Sequence, residues 1–165
     1  MIEGQRYDIK ETIVHPEHKT IDVALIMLSR PLQFSDSVQP IQMAPRNLAL
    51  NSGDMLMSMG FGKTEKLPIS PVLLSVKLQY VTDKDCNEIF KKENHPHITE
   101  QMMCARGVKG EGSCKGDSGG PLVHNNILVG IVSFGYDCGT LPGVYTRVSA
   151  VRDFIDTTKD KLNNV

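Results

Sequence analysis

Short stretches of alternating polar and apolar residues recur along this chain, a period that predicts half-buried strands rather than long helices. Tyr7 to Val14 alternates in this way, and His15-Pro16-Glu17-His18-Lys19 ends it, because proline lacks a donor and restricts its neighbour. Ile21 to Leu28 is an apolar run broken once, by Asp22. From Ser29 to Asn51 no period survives, and Pro31, Pro40 and Pro45 mark a long connection between two lobes. Met55 to Gly62 reads as a strand entering a glycine turn, with Met55, Met57 and Met59 expected to fill core. Leu73 to Val81 predicts a long strand with Leu74, Val76, Leu78 and Tyr80 on one face. Thr82-Asp83-Lys84-Asp85 opens a short helix, since threonine can cap and the acids suit the positive end. Ile127 to Phe134 predicts a buried strand and Gly143 to Val148 another. Ser149 is expected to cap a final helix in which Val151, Phe154, Ile155, Thr158 and Leu162 share a face. The pattern is all-β with one terminal helix.

Composition narrows the function. A chain of 165 residues is one large domain or two small ones, long enough to bury a core. Lys+Arg 18 nearly balance Asp+Glu 19 without a long run of either sign, so no nucleic-acid partner is expected. No apolar stretch nears the roughly 18 residues that cross a bilayer, so no membrane partner is expected either. Cys86, Cys104, Cys114 and Cys138 all fall in the second half, and four cysteines permit two bridges in three connectivities. They form no CxxC pair and have no histidine at metal-ligand spacing, so neither a metal nor a cofactor is expected. Bridges imply an oxidising compartment reached through an export signal. Met1 to Arg6 has no basic segment followed by an apolar core, so the expectation is a secreted-type chain that has lost a front segment.

The most informative segment is Gly112-Ser113-Cys114-Lys115-Gly116-Asp117-Ser118-Gly119-Gly120-Pro121-Leu122. Glycines around a serine let a substrate approach the backbone and permit a tight turn that can aim amide hydrogens at one point. Taken as physics alone, such a loop could equally be a plain turn or a phosphate cradle, although no GK[ST] sequel supports a P-loop.

The segment from Gly116 to Leu122, with Cys114 four residues before Ser118, resembles the nucleophile loop of the trypsin/chymotrypsin family of serine endopeptidases. Asp22-Val23-Ala24-Leu25-Ile26 is similar to the family segment that carries the triad aspartate. Gly60-Phe61-Gly62 resembles its Gly-Trp-Gly turn, and Ser133-Phe134-Gly135 its Ser-Trp-Gly substrate-binding strand. Pro142 to Val148 is similar to its penultimate strand. The resemblance implies a double β-barrel with the first barrel incomplete (residues 1–45, including the start of the connection), and the second barrel with a C-terminal helix in 46–165. It implies Ser118 as nucleophile, Asp22 as orienting carboxylate, and the amides of Gly116 and Ser118 as oxyanion hole, in the triad mechanism known for that family. Asp117 resembles the residue that pairs with a new N-terminal amine on activation, and Ser133 the serine that bonds the triad aspartate. The implied bridges are Cys86–Cys104 and Cys114–Cys138.

The triad also needs a general-base histidine, which the family carries in an Ala-Ala-His-Cys segment before the aspartate; no such segment is present, and His15, His18, His95, His97 and His124 do not match its position. The expectation is therefore a fragment inactive by itself, with a non-catalytic binding module as the alternative. Gly112 stands where trypsin-like relatives have a pocket carboxylate, and Gly135 and Gly143 at the pocket walls leave it open. Together with Phe134 these imply a preference for large apolar or aromatic residues, although Asp137 nearby could still attract a base. Polypeptide substrates, protein inhibitors, a monomeric state and an extracellular setting follow from the same resemblance.

Overall fold

A computed structural model describes residues 4–108 and 110–163. Strands β1 (Ile9–Val14) and β2 (Ala24–Leu28) form an isolated antiparallel ribbon in which Val14 faces Ala24 and Ile9 faces Leu28. The remaining elements are β3 (Gln42–Met43), β4 (Met55–Gly60), β5 (Leu74–Val81), helix α1 (Asp83–Lys92), β6 (Met102–Arg106), β7 (Pro121–His124), β8 (Ile127–Phe134) and β9 (Gly143–Arg147), then a 3₁₀ turn (Val148–Val151) and helix α2 (Arg152–Asn163). These strands lie in the order β3-β8-β7-β4-β5-β6-β9, and pairing of β9 back onto β8 closes six of them into a barrel. Closure removes the exposed edges that an open sheet would leave. The expectation of an all-β, barrel-based fold with a C-terminal helix therefore holds: one barrel is closed, and the two-stranded ribbon forms a sheet of its own.

The barrel fills from alternate positions of its strands. Leu56, Leu78, Leu122, Val129 and Tyr145 are buried at its centre, and Val148, Val151 and Ile155 extend the same cluster toward α2. A two-residue turn at Asn125 and Asn126, with φ of +47° and +64°, joins β7 to β8; asparagine tolerates this left-handed region and sets the hairpin's twist. A second cluster lies under α1, where Cys86 and Phe90 pack with Ile98, Cys104 and Val144. Helix α1 starts as expected: Thr82 Oγ1 accepts the Asp85 amide at 3.1 Å, with Asp83 and Asp85 in the first turn.

Two expectations are corrected, and two features emerge only in the structure. Within the connection, β3 runs parallel to β8, and Ala44, donating its amide to Leu128 O at 2.9 Å, is fully buried. Met55 and Met57 point outward rather than into the core; the inward face of β4 is Leu56 and Ser58, each 2% exposed. Ser149 does not cap the last helix, since it lies inside the 3₁₀ turn and α2 begins three residues later at Arg152. Val151 at the end of the turn and Ile155 and Thr158 on α2 are nonetheless buried, with Phe154 and Leu162 partly buried. Finally, β6 and β7 were not legible as strands: Met103, Cys104 and Ala105 are buried in succession, which erases alternation, and β7 begins on the last residues of the glycine-rich segment.

Two polar clasps hold the lobes and the connection to the barrel. Thr146 Oγ1 donates to Asp22 O at 2.6 Å, and Val23 enters the barrel core. Arg46, in the connection, binds Asp153 at 2.6 Å and Asp156 at 2.8 Å on α2, while Arg152 binds Asp156 at 2.9 Å. The hydrogen bond from Arg152, with that from Arg46, holds the Asp156 carboxyl below its ordinary value.

Candidate active site

The glycine-rich segment is a loop between β6 and β7, tied down at four places. Asp117 is its anchor: Oδ1 accepts the Gly62 amide at 2.8 Å and Oδ2 the Cys114 amide at 2.9 Å. Its main chain contributes too, with the amide donating to Cys114 O and the carbonyl accepting from Gly120. Lys63 donates to Lys115 O at 2.8 Å, and Cys114 is bonded to Cys138. Gly116 and Gly119 take φ of +96° and +79°, which a side chain would resist. Gly120 is required by space: a Cβ there would lie 2.7 Å from Asp117 O and 3.1 Å from Met59 O. Ser118 and Gly116 are exposed at the crest of this loop, and among the described residues their amides have no acceptor.

Asp22, on the turn entering β2, is brought to the end of β8 across 111 residues of sequence, where Ser133 Oγ donates to Asp22 Oδ2 at 2.6 Å. With the Thr146 bond to its carbonyl, this fixes an exposed carboxylate without burying it. Beyond Ser133, Phe134 is 38% exposed and its ring meets Tyr136 edge-on at 6.0 Å. Tyr136 in turn stacks on His95 at 3.6 Å and meets Phe90 edge-on.

Gly135 and Gly143 lie side by side at this strand end. A Cβ on Gly135 would lie 3.8 Å from Gly143 Cα, and one on Gly143 would lie 3.1 Å from the Tyr145 hydroxyl. Gly112 abuts Gly139, at 3.1 Å from Cβ to Cα. Burial pushes the Tyr145 phenol up, opposed by its hydrogen bond with Ser113, so it remains a neutral hydroxyl. Sequence reading missed Ser58, Tyr145 and Thr146 here. Ser58 was detectable, because strict alternation in Met55-Leu56-Met57-Ser58-Met59 places it with Leu56.

A cavity of about 660 Å³ is lined by Ser58, Gly62, Lys63, Gly112, Ser113 and Asp117 among others, but by none of Ser133, Phe134, Gly135 or Gly143. It adjoins Asp117 rather than the exposed side of Ser118.

The five histidines are placed elsewhere. His15 accepts the Glu17 amide and packs on Phe154, while His18 and His97 are exposed. His95 joins the aromatic stack. His124 bonds Met55 O at 2.9 Å and Asn125 at 3.0 Å, which fits a proton on Nδ1 donated to the carbonyl. Among the described residues, neither Asp22 nor Ser118 is hydrogen-bonded to an imidazole. Cys86 is bonded to Cys104 under α1, away from the loop. No cluster of three or more metal-ligating side chains occurs among the described residues.

Comparison with known proteins settles the lineage of this arrangement. The family model described as Trypsin matches residues 2–155. The chain belongs to the trypsin family. Trypsin 5G1 of Aedes aegypti is 38% identical over 161 residues, covering 92% of this chain and 59% of that protein. The vitellin-degrading protease of Bombyx mori is 36% identical over 162 residues, covering 93% and 61%. This trypsin-family chain thus spans about three-fifths of the length of these relatives. Among solved structures, mouse-brain neuropsin, a serine protease, superposes with a TM-score of 0.83 at 32% identity, covering 94% of this chain and 72% of that one.

Proposed function

We propose that this is the site of a serine endopeptidase of the chymotrypsin type. Ser118 is the nucleophile, Asp22 the orienting carboxylate, and the Gly116 and Ser118 amides the oxyanion hole. The observation that carries the reading is the Ser133–Asp22 hydrogen bond, which holds an exposed carboxylate at the end of the Ser-Phe-Gly strand beside the anchored Ser118 loop. In the reaction, the Ser118 hydroxyl adds to a peptide carbonyl and its proton passes to a general base. The oxyanion is met by main-chain donors, each worth about 2.7–4 kcal/mol at the transition state. The acyl-enzyme formed on loss of the amine is then cleaved by water.

The base is the weak link. With no imidazole on Asp22 or Ser118 among the described residues, an unactivated hydroxyl is a poor nucleophile, and the chain by itself acylates feebly. Asp117 adjoins the cavity of about 660 Å³, which suits its role as partner of an N-terminal amine on activation. The paired cysteines fit a secreted, monomeric protein that acts on polypeptides and meets protein inhibitors. The second reading, a binding module without catalysis, is favoured by the same missing imidazole.

A fluorophosphonate probe tests the assignment. The oxidised chain is expected to label no more than its Ser118→Ala variant. Co-folding with the histidine-bearing segment of a trypsin-family relative is expected to restore Ser118-dependent labelling. Rescue that fails despite complex formation would favour the binding module, and clear labelling of the chain alone would show another group activating Ser118.

The resemblance places a substrate slot at Gly112, Gly135 and Gly143; it takes an uncharged apolar or aromatic side chain, because Gly112 supplies no carboxylate to replace the solvation of a cation. Asp137 at the rim and Lys115 on the loop are exposed and act weakly through solvent. Toluene is expected to shift the amide resonances of Gly135 and Gly143. Gly143→Val should lower its affinity about 10- to 200-fold by filling the slot, and an unchanged affinity would place the ligand elsewhere.

A further inference from the structure

Over residues 61–75, all of them described, the chain is exposed or half-buried except at Gly62 and Ser70. Ile69 stands in solvent at 68%, whereas Ser70 beside it is 4% exposed. A polar residue at that depth costs stability unless its groups are paired. The Ser70 amide donates to Phe61 O at 2.9 Å and to Gly62 O at 3.2 Å. Its hydroxyl donates to Val72 O at 2.7 Å and accepts the Val72 amide at 3.3 Å, which closes the turn around Pro71. The two buried residues of this loop are thus bonded to each other.

Gly62 is also where this loop meets the one that carries Ser118. Its amide donates to Asp117 Oδ1 at 2.8 Å, and the next amide, of Lys63, donates to Lys115 O at 2.8 Å. The Asp117 carboxylate lies so close to the main chain of Gly60 and Gly62 that a Cβ on either would run into it. Residues 60–63 are therefore the seat on which the Ser118 loop rests. Strand β4 ends at Gly60, so beyond that residue the sheet does not hold the seat. Ser70 does. A peptide unit is a rigid plane, with its C=O and N–H pointing opposite ways. In the Phe61–Gly62 unit, Ser70 binds the carbonyl and Asp117 the amide. In the Gly62–Lys63 unit, Ser70 again binds the carbonyl and Lys115 the amide.

We infer that Ser70 is a positioning residue for the nucleophile loop: it clamps two successive peptide planes so that their amides point at Asp117 and Lys115. This rests on the Ser118 reading proposed above and adds a residue that touches neither substrate nor reacting atoms. Gly116 and Ser118 flank Asp117, so a seat that tilts carries the oxyanion donors with it. The clamp itself depends on the hydroxyl, which fixes the turn at Pro71 and thereby the direction of the Ser70 amide. Without it, that turn opens to water and both planes are free to rock about the end of β4.

Residue-resolved hydrogen exchange on the full oxidised chain reads the clamp without requiring catalysis. Ser70→Ala should speed exchange of the Gly62 and Lys63 amides about tenfold, the scale of one lost hydrogen bond. The increase should carry over to the Asp117 and Gly120 amides and leave β8 unchanged. Ser70→Thr, which keeps the hydroxyl, should restore protection. In the complex with the histidine-bearing segment of a relative, fluorophosphonate labelling of Ser118 should fall about tenfold in Ser70→Ala at unchanged affinity for the segment, and recover in Ser70→Thr. Faster exchange at Val72 alone, or uniformly through the barrel, would make Ser70 a local or general structural residue and overturn the inference while the Ser118 reading stands. Full labelling by Ser70→Ala overturns it too. If the wild-type complex does not label, the Ser118 reading falls and takes this inference with it.

Discussion

Phe90→Ala is expected to cost the protein about 3–5 kcal/mol, the range for emptying a buried aromatic site. Phe90 is 1% exposed and sits between Cys86, Ile98, Cys104 and Val144, with edge-on contacts to His95 at 5.9 Å and Tyr136 at 5.7 Å. The bonded pair Cys86–Cys104 fixes both walls of the site, so relaxation into the void is restricted and the upper half of the range applies. Denaturant unfolding with the disulfides intact would measure it, and a loss below about 1 kcal/mol would mean that the site collapses freely. The same ring supports the Tyr136–His95 stack beside Phe134. Loss of packing should therefore broaden the Phe134 and Gly135 resonances as well.

Amides of the β1–β2 ribbon are expected to exchange with solvent at least about a thousandfold faster than those of β7 and β8. Two strands alone are marginal in water, and this ribbon leaves Ile9, Val14 and Ile26 exposed at 58%, 50% and 59%. Its hold on the barrel is concentrated at Ile21, Val23 and Leu25 and at the bonds from Thr146 and Ser133 to Asp22. Protection should accordingly rise around Val23, fall again through the proline-bearing connection, and return at Ala44. Hydrogen exchange resolved by residue would check this profile. Uniform protection from Tyr7 onward would show that the ribbon is held by more than these contacts.

Strands with one wet face were legible in the residues, as β5 shows. Leu78 and Tyr80 are buried while Lys77 and Gln79 are exposed, and the alternation survives because solvent lies on one side. It fails at β6, enclosed by β5, β9 and α1, where polarity carries no information on direction. The methionines of β4 misled for a different reason: their bulk and apolarity suggested a core, whereas the register assigns the inward face to Leu56 and Ser58. At the site, motif residues such as Ser118, Asp117 and Asp22 could be named from local sequence. The contacts of Thr146 with Asp22 and of Tyr145 with Ser113 join segments distant in sequence, which no local pattern encodes.

The outward turn of those β4 methionines has a chemical consequence. Thioethers at 51% and 39% exposure on Met55 and Met57 meet dissolved peroxide first, whereas Met103, at 1%, is shielded by the barrel. Sulfoxide formed on the outer face adds a polar oxygen where water already stands and leaves the packed interior unchanged. In the oxidising surroundings that its disulfides suit, the protein carries sacrificial sulfur on its exterior.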